Sequence, residues 1–204
     1  MKEQLVEPNV QIPSSEDQHA GISIHLRDGQ NVLVRPIRSS DAIGLVAFHE
    51  RLSALSIHNR YFGVHPNLTS EEVRHSVDVD GHERFALVAL LDERIVGVAR
   101  YEGLSDGGSA EVAFIVTDAY QRQGLATHFL DLLARRASAS GYRRLIAQVL
   151  ATNSQMLDMF THCGLPVEFN RGREVVEVAI ALDCTSSTVE QDGGTTNKAE
   201  DLPP

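Results

Sequence analysis

The chain has 204 residues, of which 42% are hydrophobic and 23% are charged, enough for one globular domain that buries a core without disulfides or a structural metal. Its 28 acidic residues outnumber its 18 basic residues and give a formal net charge of −10. That balance weighs against nonspecific binding to nucleic acid or to an anionic membrane, so we expect neither as a partner.

Cysteine content and hydropathy indicate the cellular compartment of the protein. Cys163 and Cys184 are too few for a disulfide framework and lack the Cys-x-x-Cys spacing of metal and redox sites. No apolar run approaches the roughly 20 residues that span a bilayer, and the first residues lack the apolar stretch of a secretory signal. These features predict a cytoplasmic protein.

Both ends of the chain are polar and acidic. Residues 1–20 and 184–204 have too little apolar surface to offset the entropy of ordering a chain, so we expect two disordered acidic tails around a domain at residues 21–183. The domain contains arginine but no lysine, because Lys2 and Lys198 lie in the tails. Any lysine chemistry must therefore take place on another molecule or on these tails.

The domain opens with a hairpin and a helix. Apolar alternation over Ile22–Leu26 and Asn31–Ile37, separated by an Asp-Gly turn, predicts two antiparallel strands. Ser40 and Asp41 have the chemistry of a helix N-cap. The helix that follows has apolar residues at helical spacing, namely Ile43, Val46, Ala47 and Leu52.

A second helical region precedes three strands. Ser53–Phe62 is ambiguous, with a short helix as the favoured interpretation, and Thr69 starts another helix with acidic residues in its first turn. The pattern then changes to period two. It predicts an antiparallel meander over Phe85–Leu91, Arg94–Tyr101 and Ala110–Val116.

The second half alternates helices and strands. We predict a helix at Leu125–Ala139, a strand at Leu145–Leu150, a helix at Asn153–Cys163 and a strand at Glu174–Leu182. The predicted order is ββ-α-α-βββ-α-β-α-β, and no internal repeat is visible. This order favours one α+β domain around a mixed, mainly antiparallel sheet with helices on both faces.

The turn between the third meander strand and the long helix carries the strongest chemical signal. Gly124 and Ala126 are too small to cover the backbone there, so several N–H groups at the helix N-terminus would be open to an anion. Arg122 could add a charge-assisted contact to a phosphate. A pyrophosphate site is one interpretation, and an ordinary helix start is the other when the glycine is taken alone.

The wider pattern resembles a known family. Ala110–Val116, the motif Gln121-x-x-Gly-x-Ala126, the next strand and a helix from Asn153 that ends in Cys-Gly-Leu are present in order. Together they are similar to the GNAT family of acyl-CoA-dependent N-acetyltransferases, whose hallmark is Gln/Arg-x-x-Gly-x-Gly/Ala. The resemblance extends over residues 21–183. It implies a GNAT fold, acetyl-CoA as cosubstrate and no metal.

The resemblance also implies how coenzyme A is held. The pantetheine arm would lie between two parallel strands that splay apart, Ala110–Val116 and Leu145–Leu150, and bond to backbone groups near Ile115 and Val116. Asn153 would bond the same arm. The pyrophosphate would lie over the turn and the start of the helix, namely Gln121, Arg122, Gln123, Gly124, Leu125, Ala126 and Thr127.

The first half of the domain narrows the resemblance to the acetyltransferase domain of bacterial Pat-type protein lysine acetyltransferases, some of which modify acyl-CoA synthetases. The implied partner is an acceptor protein with a reactive lysine, and an acyl-CoA synthetase is one candidate. Some Pat relatives carry an upstream regulatory domain, for which residues 1–20 are too short, so we expect such regulation to be absent or to come from another chain. The similar segments are Arg27-Asp-Gly, Val34-Arg-Pro-Ile-Arg-x-x-Asp41, Arg51-Leu-Ser and Arg60-Tyr-Phe-Gly.

Glu111 is the candidate general base. Acyl transfer to an amine needs a group that removes a proton from the ammonium. Glu111 is a carboxylate in an otherwise apolar strand beside the expected thioester, where desolvation would make it a stronger base. Its position matches a glutamate base in the protein-lysine branch of the family. The alternative is a solvated, outward-facing residue of an edge strand.

Aromatic and thiol side chains in the helices raise further roles. Phe160 lies where many family members have a tyrosine acid, and phenylalanine cannot donate a proton, although coenzyme A can leave as a thiolate that water protonates. Cys163 could form an acyl-enzyme, but a small buried helix residue is its commoner role. Tyr61 and Phe62 could line an acceptor pocket or pack in the core.

The sequence thus predicts a cytoplasmic N-acetyltransferase that moves an acetyl group from acetyl-CoA to a protein lysine by direct attack in a ternary complex. One alternative is an N-acetyltransferase for a small amine, which would share all the donor residues. Another is an acyl-CoA-binding regulatory module without catalysis, which the missing tyrosine favours and Glu111 disfavours.

Overall fold

The computed structural model describes residues 21–182 of the chain. This range lies within the domain predicted at residues 21–183. The acidic tails predicted at residues 1–20 and 184–204 lie outside the described residues, as does Cys184.

Eight strands of the described chain form one mixed sheet. They are β1 Ile22–His25, β2 Asn31–Pro36, β3 Arg84–Leu91, β4 Arg94–Gly103, β5 Ser109–Val116, β6 Arg144–Leu150, β7 Val167–Arg171 and β8 Val175–Ala181. Their order across the sheet is β1-β2-β3-β4-β5-β6-β8-β7. Neighbours are antiparallel except β5 and β6, which are parallel. The predicted α+β class with a mainly antiparallel sheet is confirmed.

Helices cover both faces of the sheet. They are α1 Ala42–His49, α2 Ala54–Tyr61, α3 Ser70–Val77, α4 Leu125–Ala139 and α5 Ser154–Thr161, with short 3-10 turns at Ser39–Asp41 and Asp118–Tyr120. Val88 of β3 belongs to the same hydrophobic cluster as Phe48 of α1, whereas Leu87 of β3 belongs to the cluster that contains Phe129 of α4. Successive residues of a strand point to opposite faces, so α1 and α4 lie on opposite sides, here called the α1 face and the α4 face.

The buried face of α1 differs from its prediction. The prediction placed Ile43, Val46, Ala47 and Leu52 on the core side, but Ile43 is 84% exposed, and the buried residues within the helix include Leu45 and Phe48. The helix also ends at His49, before Leu52. Leu52 is 8% exposed and does belong to the core. For Ile43 and Val46 the prediction is wrong, because the helix sequence Ala-Ile-Gly-Leu-Val-Ala-Phe-His is apolar nearly all round and spacing alone could not select a face.

Asp41 is the N-cap residue of α1, as predicted, but its side chain does not play the predicted role. The side chain of Asp41 makes no capping hydrogen bond to α1. Its carboxylate instead accepts the Arg38 backbone N–H at 2.7 Å and two hydrogen bonds from the Arg35 guanidinium, each 2.7 Å. The nearly buried guanidinium of Arg35 therefore binds the carboxylate that was predicted to cap the helix.

Two elements change the predicted order. Ser53–Phe62 contains α2, so three helices stand where the predicted order has two. β7 was not predicted, because Val167–Arg171 is a short, mostly polar edge strand that forms by pairing with β8. The other predicted strands and helices are confirmed, and α4 has the predicted bounds Leu125–Ala139.

Candidate active site

An opening lies between β5 and β6 in the middle of the sheet. The two strands pair through Ser109, Ala110 and Glu111. Beyond these pairs β5 continues along β4 to Val116, and β6 continues along β8 to Leu150. The two strands therefore diverge after Glu111, which is the splayed geometry that the resemblance implied.

The opening leads into a cleft of about 640 Å³, called here the β5–β6 cleft. Among the residues predicted to bind coenzyme A, Gln123 does not line this cleft. The Gln123 carbonyl accepts a hydrogen bond from the Arg27 backbone N–H at 3.3 Å. The other predicted residues line the cleft, namely Ile115, Val116, Gln121, Arg122, Gly124, Leu125, Ala126, Thr127 and Asn153. The structure thus brings nearly the whole predicted set to one space.

The turn before α4 presents free backbone donors to this cleft. Arg122 and Gly124 have left-handed φ angles of 59° and 91°. The backbone N–H groups of residues 122–126 have no hydrogen-bond acceptor within residues 21–182. A Cβ added to Gly124 would meet no atom within 4 Å, so this residue borders open space. Free N–H groups at the positive end of a helix favour an anion, and the geometry fits the predicted pyrophosphate site.

A hydrogen-bond network ties the turn to α2. The Gln121 side-chain amide donates to the Ser56 hydroxyl at 2.9 Å and to the Val116 carbonyl at 3.0 Å. The Asp118 carboxylate accepts from the hydroxyls of Ser53 and Ser56 at 2.7 and 2.9 Å. Burial alone would raise the pKa of Asp118, but these hydrogen bonds outweigh it and hold the pKa below its usual value. The Gln121 side chain therefore positions the turn.

The backbone of β5 presents alternate residues to the opening. The Thr117 N–H bonds to the Val96 carbonyl at 2.9 Å, so odd-numbered residues direct their backbone groups toward β4. Because this direction alternates along a strand, Phe114 and Val116 direct theirs toward the opening. Alternation thus favours Phe114 and Val116 over Ile115 as backbone partners of a ligand, and Ile115 contributes its side chain to the cleft lining.

Asn153 lies at the start of α5 and lines the cleft. Its side-chain oxygen accepts the Met156 backbone N–H at 3.2 Å and so caps the helix. An asparagine amide also carries two N–H donors, which the cap does not use. The cap holds these donors at the border of the cleft, where the predicted pantetheine arm would pass.

Glu111 lies where β5 and β6 part. It lines a recess of about 50 Å³ beside the β5–β6 cleft, together with Arg60, Phe114, Asn153 and other residues. Its side chain is exposed, so the burial expected from the apolar strand sequence is not present in this structure. An exposed carboxylate at this point can be reached from solvent by a long side chain of another molecule.

Phe160 and Cys163, at the end of α5 and just after it, contact the hydrophobic core. Phe160 is 1% exposed and packs against Phe114, with ring centroids 6.1 Å apart, so it belongs to the core under the recess. Cys163 packs against the same core, and its Sγ lies 4.0 Å from the Leu165 carbonyl oxygen. These contacts favour a packing role for Cys163, the commoner role of a cysteine at such a position.

A second cavity, of about 440 Å³, lies between the α1 face of the sheet and helices α1–α3, and is called here the helix-side cavity. Residues on its sheet side are Ala86, Val98, Arg100, Ala113 and Ile115. Arg60 lines this cavity, the recess at Glu111 and the β5–β6 cleft. The three spaces therefore meet at the Arg60 side chain.

Three rings lie together at this cavity. Tyr61 stacks on His65 with centroids 4.1 Å apart, and both contact the ring of His49 edge-on. Burial lowers the pKa of His49, with a further contribution from His65, and burial raises the pKa of Tyr61. Tyr61 lines the helix-side cavity and Phe62 lines the recess, so both border space that an acceptor could use.

Three residues of the site were not predicted as ligand residues. Arg27 and Ser56 line the cleft, and Arg60 lines all three spaces. Arg27 and Arg60 belong to segments that carried the family resemblance, which was the available signal. Ser56 had none, because its role depends on a partner 65 positions away.

Clusters of metal ligands and membrane-spanning helices are two further features that could indicate a function. Within residues 21–182 no group of three or more His, Cys, Asp or Glu side chains is arranged to hold a metal ion. No helix in that part of the chain has the length and apolar character that crossing a bilayer requires.

Known proteins are similar to this chain in sequence and in architecture. The sequence model of the acetyltransferase (GNAT) family matches residues 51–165. Over 138 residues the chain is 32% identical to acetyltransferase PA5475 of Pseudomonas aeruginosa, an alignment that covers 66% of this chain and 74% of that protein.

Solved structures show the same likeness. The GNAT domain of S. lividans PAT is 31% identical, with a TM-score of 0.74, over 79% of this chain and 96% of that chain. The fold is shared with yncA of Salmonella typhimurium, solved with acetyl-CoA, at 15% identity and a TM-score of 0.60 over 76% of this chain and 96% of that chain.

Proposed function

The chain belongs to the GNAT acetyltransferase family, and we propose that it transfers an acetyl group from acetyl-CoA to a lysine side chain of another protein. One observation carries the proposal: a turn with free backbone N–H groups and a pair of diverging strands lead to the carboxylate of Glu111. The turn suits a pyrophosphate, and the opening suits an extended arm with amide groups.

The donor would be held by the residues around the β5–β6 cleft. The free N–H groups of residues 122–126 would bind the pyrophosphate, with Arg122 and Arg27 at the mouth of the cleft adding positive charge. Backbone groups of Phe114 and Val116 and the amide donors of Asn153 would bond the pantetheine arm. Acetyl-CoA, when bound, supplies an activated thioester carbonyl at the inner end of the cleft.

Glu111 would remove the proton that prevents a lysine ammonium from attacking. The freed amine forms the C–N bond as the C–S bond breaks, and a backbone N–H on the opening side of β5, of Phe114 or Val116, would stabilise the charge on the carbonyl oxygen. Phe160 is buried and cannot donate a proton, so the thiolate would take its proton from solvent.

A protein acceptor is supported by two observations. The segments from Arg27 to Gly63 resemble Pat-type protein lysine acetyltransferases, and the chain is 31% identical to the GNAT domain of S. lividans PAT. The exposed position of Glu111 would let a lysine reach the base from a protein surface. An acyl-CoA synthetase is one candidate acceptor.

A small-amine acceptor is favoured by a different observation, the helix-side cavity of about 440 Å³, which is large enough for a small molecule. The two functions are separated by offering free amines and proteins side by side with acetyl-CoA. Saturable turnover of a free amine without labelling of any protein would favour the small-amine enzyme. Tight acetyl-CoA binding without transfer to any acceptor would favour a regulatory module.

The direct test is incubation of the protein with labelled acetyl-CoA and a lysate of its own source. We expect discrete labelled bands with wild type and none with Glu111→Gln. Residues 21–183 contain no lysine, so label on the enzyme itself is limited to Lys2, Lys198 and the amino terminus. Label mapped inside that range would mean that the assay detects other chemistry, and an unlabelled lysate would contradict the proposed acceptor.

A further inference from the structure

Two arginines in the helix-side cavity have no anionic partner. Arg60 and Arg100 are both half-buried and both line the cavity. Neither guanidinium forms a hydrogen bond or an ion pair with any residue in the range 21–182. The guanidinium of Arg60 lies over the Tyr61 ring, 5.2 Å from its centroid. Positive charge removed from water without a counter-ion is costly, so this arrangement calls for an anion.

The carboxylates that border the cavity are already engaged. Glu71 pairs with Arg74 on the surface of α3. Glu72 accepts from the backbone and the hydroxyl of Thr69 at 2.7 Å each and lies 3.1 Å from the Nε2 of His65.

The carboxylates of the neighbouring strands also leave Arg60 and Arg100 without a paired counter-ion. Glu102, the cross-strand neighbour of Glu111, pairs with His75 at 3.3 Å. Burial, with the charge of Arg100, lowers the pKa of Arg60, and the smaller electrostatic contributions of Tyr61 and Glu111 oppose this only in part.

The position of the arginine pair relates it to the donor end of the site. Arg60 lines the β5–β6 cleft as well as the helix-side cavity. Arg100 lies opposite Ala113 in the pairing of β4 with β5, and Ala113 lines both the cavity and the recess at Glu111. Ala113, with its small side chain, lies between Arg100 and the opening in the row of paired strands, and Ala86 flanks Arg100 on the other side.

A third polar atom lies in the wall of the same cavity. His49 is 3% exposed, and its Nε2 is buried with no hydrogen-bond partner among the residues described. Burial also lowers the pKa of His49, which keeps the ring neutral near pH 7. A neutral imidazole can donate from Nε2 to a ligand oxygen or to a water that the ligand holds.

We infer that the helix-side cavity is a carboxylate subsite, in which Arg60 and Arg100 bind the free carboxylate of a short dicarboxylic acyl group. The enzyme would then transfer acyl groups of the malonyl or succinyl class in addition to acetyl, an activity that rests on the proposed function. Bidentate pairing with guanidinium is the geometry that arginine offers a carboxylate.

The transfer step keeps the chemistry of acetyl transfer. The amine nitrogen attacks the thioester carbonyl carbon, the C–N bond forms, and the C–S bond breaks with its electron pair leaving on sulfur. Glu111 takes one proton from the acceptor ammonium before the attack, as in acetyl transfer. The second proton leaves the nitrogen for solvent as the amide forms, and the thiolate takes a proton from solvent. The distal carboxylate takes no part in bond changes, so it adds binding and selection only.

The test compares two four-carbon donors of matched length, succinyl-CoA and butyryl-CoA, which differ in a terminal carboxylate or methyl group. Their Kd values are measured by displacement on the full chain at pH 7, with no acceptor present. We expect wild type to bind succinyl-CoA at least about tenfold more tightly, the ratio that a charge-assisted pair typically supplies. Arg100→Met should bring the ratio close to one, and Arg60→Met should do the same.

A matched control removes an arginine elsewhere on the same strand. Arg94→Met changes an exposed residue at the start of β4 by the same charge and should keep the ratio. Arg60→Lys, which retains the charge without the planar fork, should give an intermediate ratio and guards against misfolding of Arg60→Met.

The outcomes separate this inference from the proposed function. Equal affinity for the two donors, with tight binding of acetyl-CoA, would overturn the carboxylate subsite and leave acetyl transfer standing. Failure of every CoA ester to bind would overturn both. If Arg60→Met and Arg100→Met instead impair acetylation only of amines that carry a carboxylate, the anion belongs to the acceptor, and the assignment to the acyl chain is wrong.

Discussion

The side-chain amide of Gln121 donates a 2.9 Å hydrogen bond to the hydroxyl of Ser56, 65 positions earlier in the chain. Ser56 is 7% exposed and also donates to Asp118, so a single hydroxyl joins α2 to the turn that presents the free N–H groups. We expect Ser56→Ala to weaken acetyl-CoA binding by about tenfold, because Gln121 and Asp118 each lose one hydrogen bond and the turn loses its link to α2.

Calorimetry with acetyl-CoA checks this, with Ser138→Ala, an exposed serine on α4, as the control. In a double-mutant cycle, Ser56→Ala and Gln121→Leu should be strongly non-additive, since both remove the same contact. Additive losses in affinity would show that the two side chains act separately.

Gly124→Ala should affect binding more than folding. Gly124 and Gly141 lie at the two ends of α4 with φ angles of 91° and 88°, and a Cβ at either would meet no atom within 4 Å. Alanine at each position should therefore cost about 1 kcal/mol of unfolding free energy through backbone strain. Only Gly124→Ala places a methyl group among the free N–H groups.

The measurement is urea denaturation paired with acetyl-CoA titration of both variants. We expect similar losses of stability and a loss of affinity confined to Gly124→Ala. Equal affinities for the two variants would remove the turn from the anion site.

Glu111→Gln should lower the rate of acetyl transfer without weakening the donor complex. A lost general base typically costs about 100-fold or more in kcat/KM, while the Kd for acetyl-CoA should stay within about threefold because the donor contacts lie along β5 and α4. Glu102→Gln is the matched control, since Glu102 is the cross-strand neighbour of Glu111 and already pairs with His75. An unchanged rate at pH 7 for Glu111→Gln would refute the assignment.

The Arg35–Asp41 pair should make stability depend on acid pH. Hydrogen bonding to Arg35 lowers the pKa of Asp41, and the two side chains are 11% and 10% exposed. An aspartate whose folded pKa lies below its unfolded value, about 3.9, contributes stability above that value and loses it as pH falls through the folded pKa. Asp41→Asn should therefore be less stable than wild type by about 2 kcal/mol at pH 7, and the difference should shrink below pH ~4.

Guanidinium denaturation at pH 7 and pH 3 tests this prediction. Asp131→Asn is the control, because its pair with Arg135 is more than half exposed on α4 and should contribute less than about 0.5 kcal/mol. A difference between wild type and Asp41→Asn that persists unchanged at pH 3 would show that the pair does not act through ionisation.

Local chemistry explains which parts of the site were predictable. The turn at Gly124 and the bounds of α4 follow from a glycine, small neighbours and an apolar stripe, all within one stretch of sequence. The divergence of β5 and β6 came from the family resemblance, because no property of either strand alone states where their pairing ends.

The missed features depend on contacts between distant segments. Asp41 is the predicted N-cap residue of α1, but its carboxylate binds the Arg35 guanidinium and the Arg38 backbone N–H instead of a backbone N–H of α1. The helix-side cavity exists only where α1, α2 and α3 meet the sheet, so Arg60 and Arg100 could not be brought together from spacing.

The divergence of β5 and β6 also bears on solubility. A sheet with unpaired backbone groups on a strand edge invites a strand from another molecule, and proteins usually cover or charge such edges. Here the unpaired edges of β5 and β6 face each other inside the sheet, and the two strands come together and pair at Glu111. An invading strand needs a spacing of about 4.8 Å along its whole length, which two edges set at an angle provide at one point only. The protein can thus keep a row of backbone groups ready for a ligand without offering a template for aggregation.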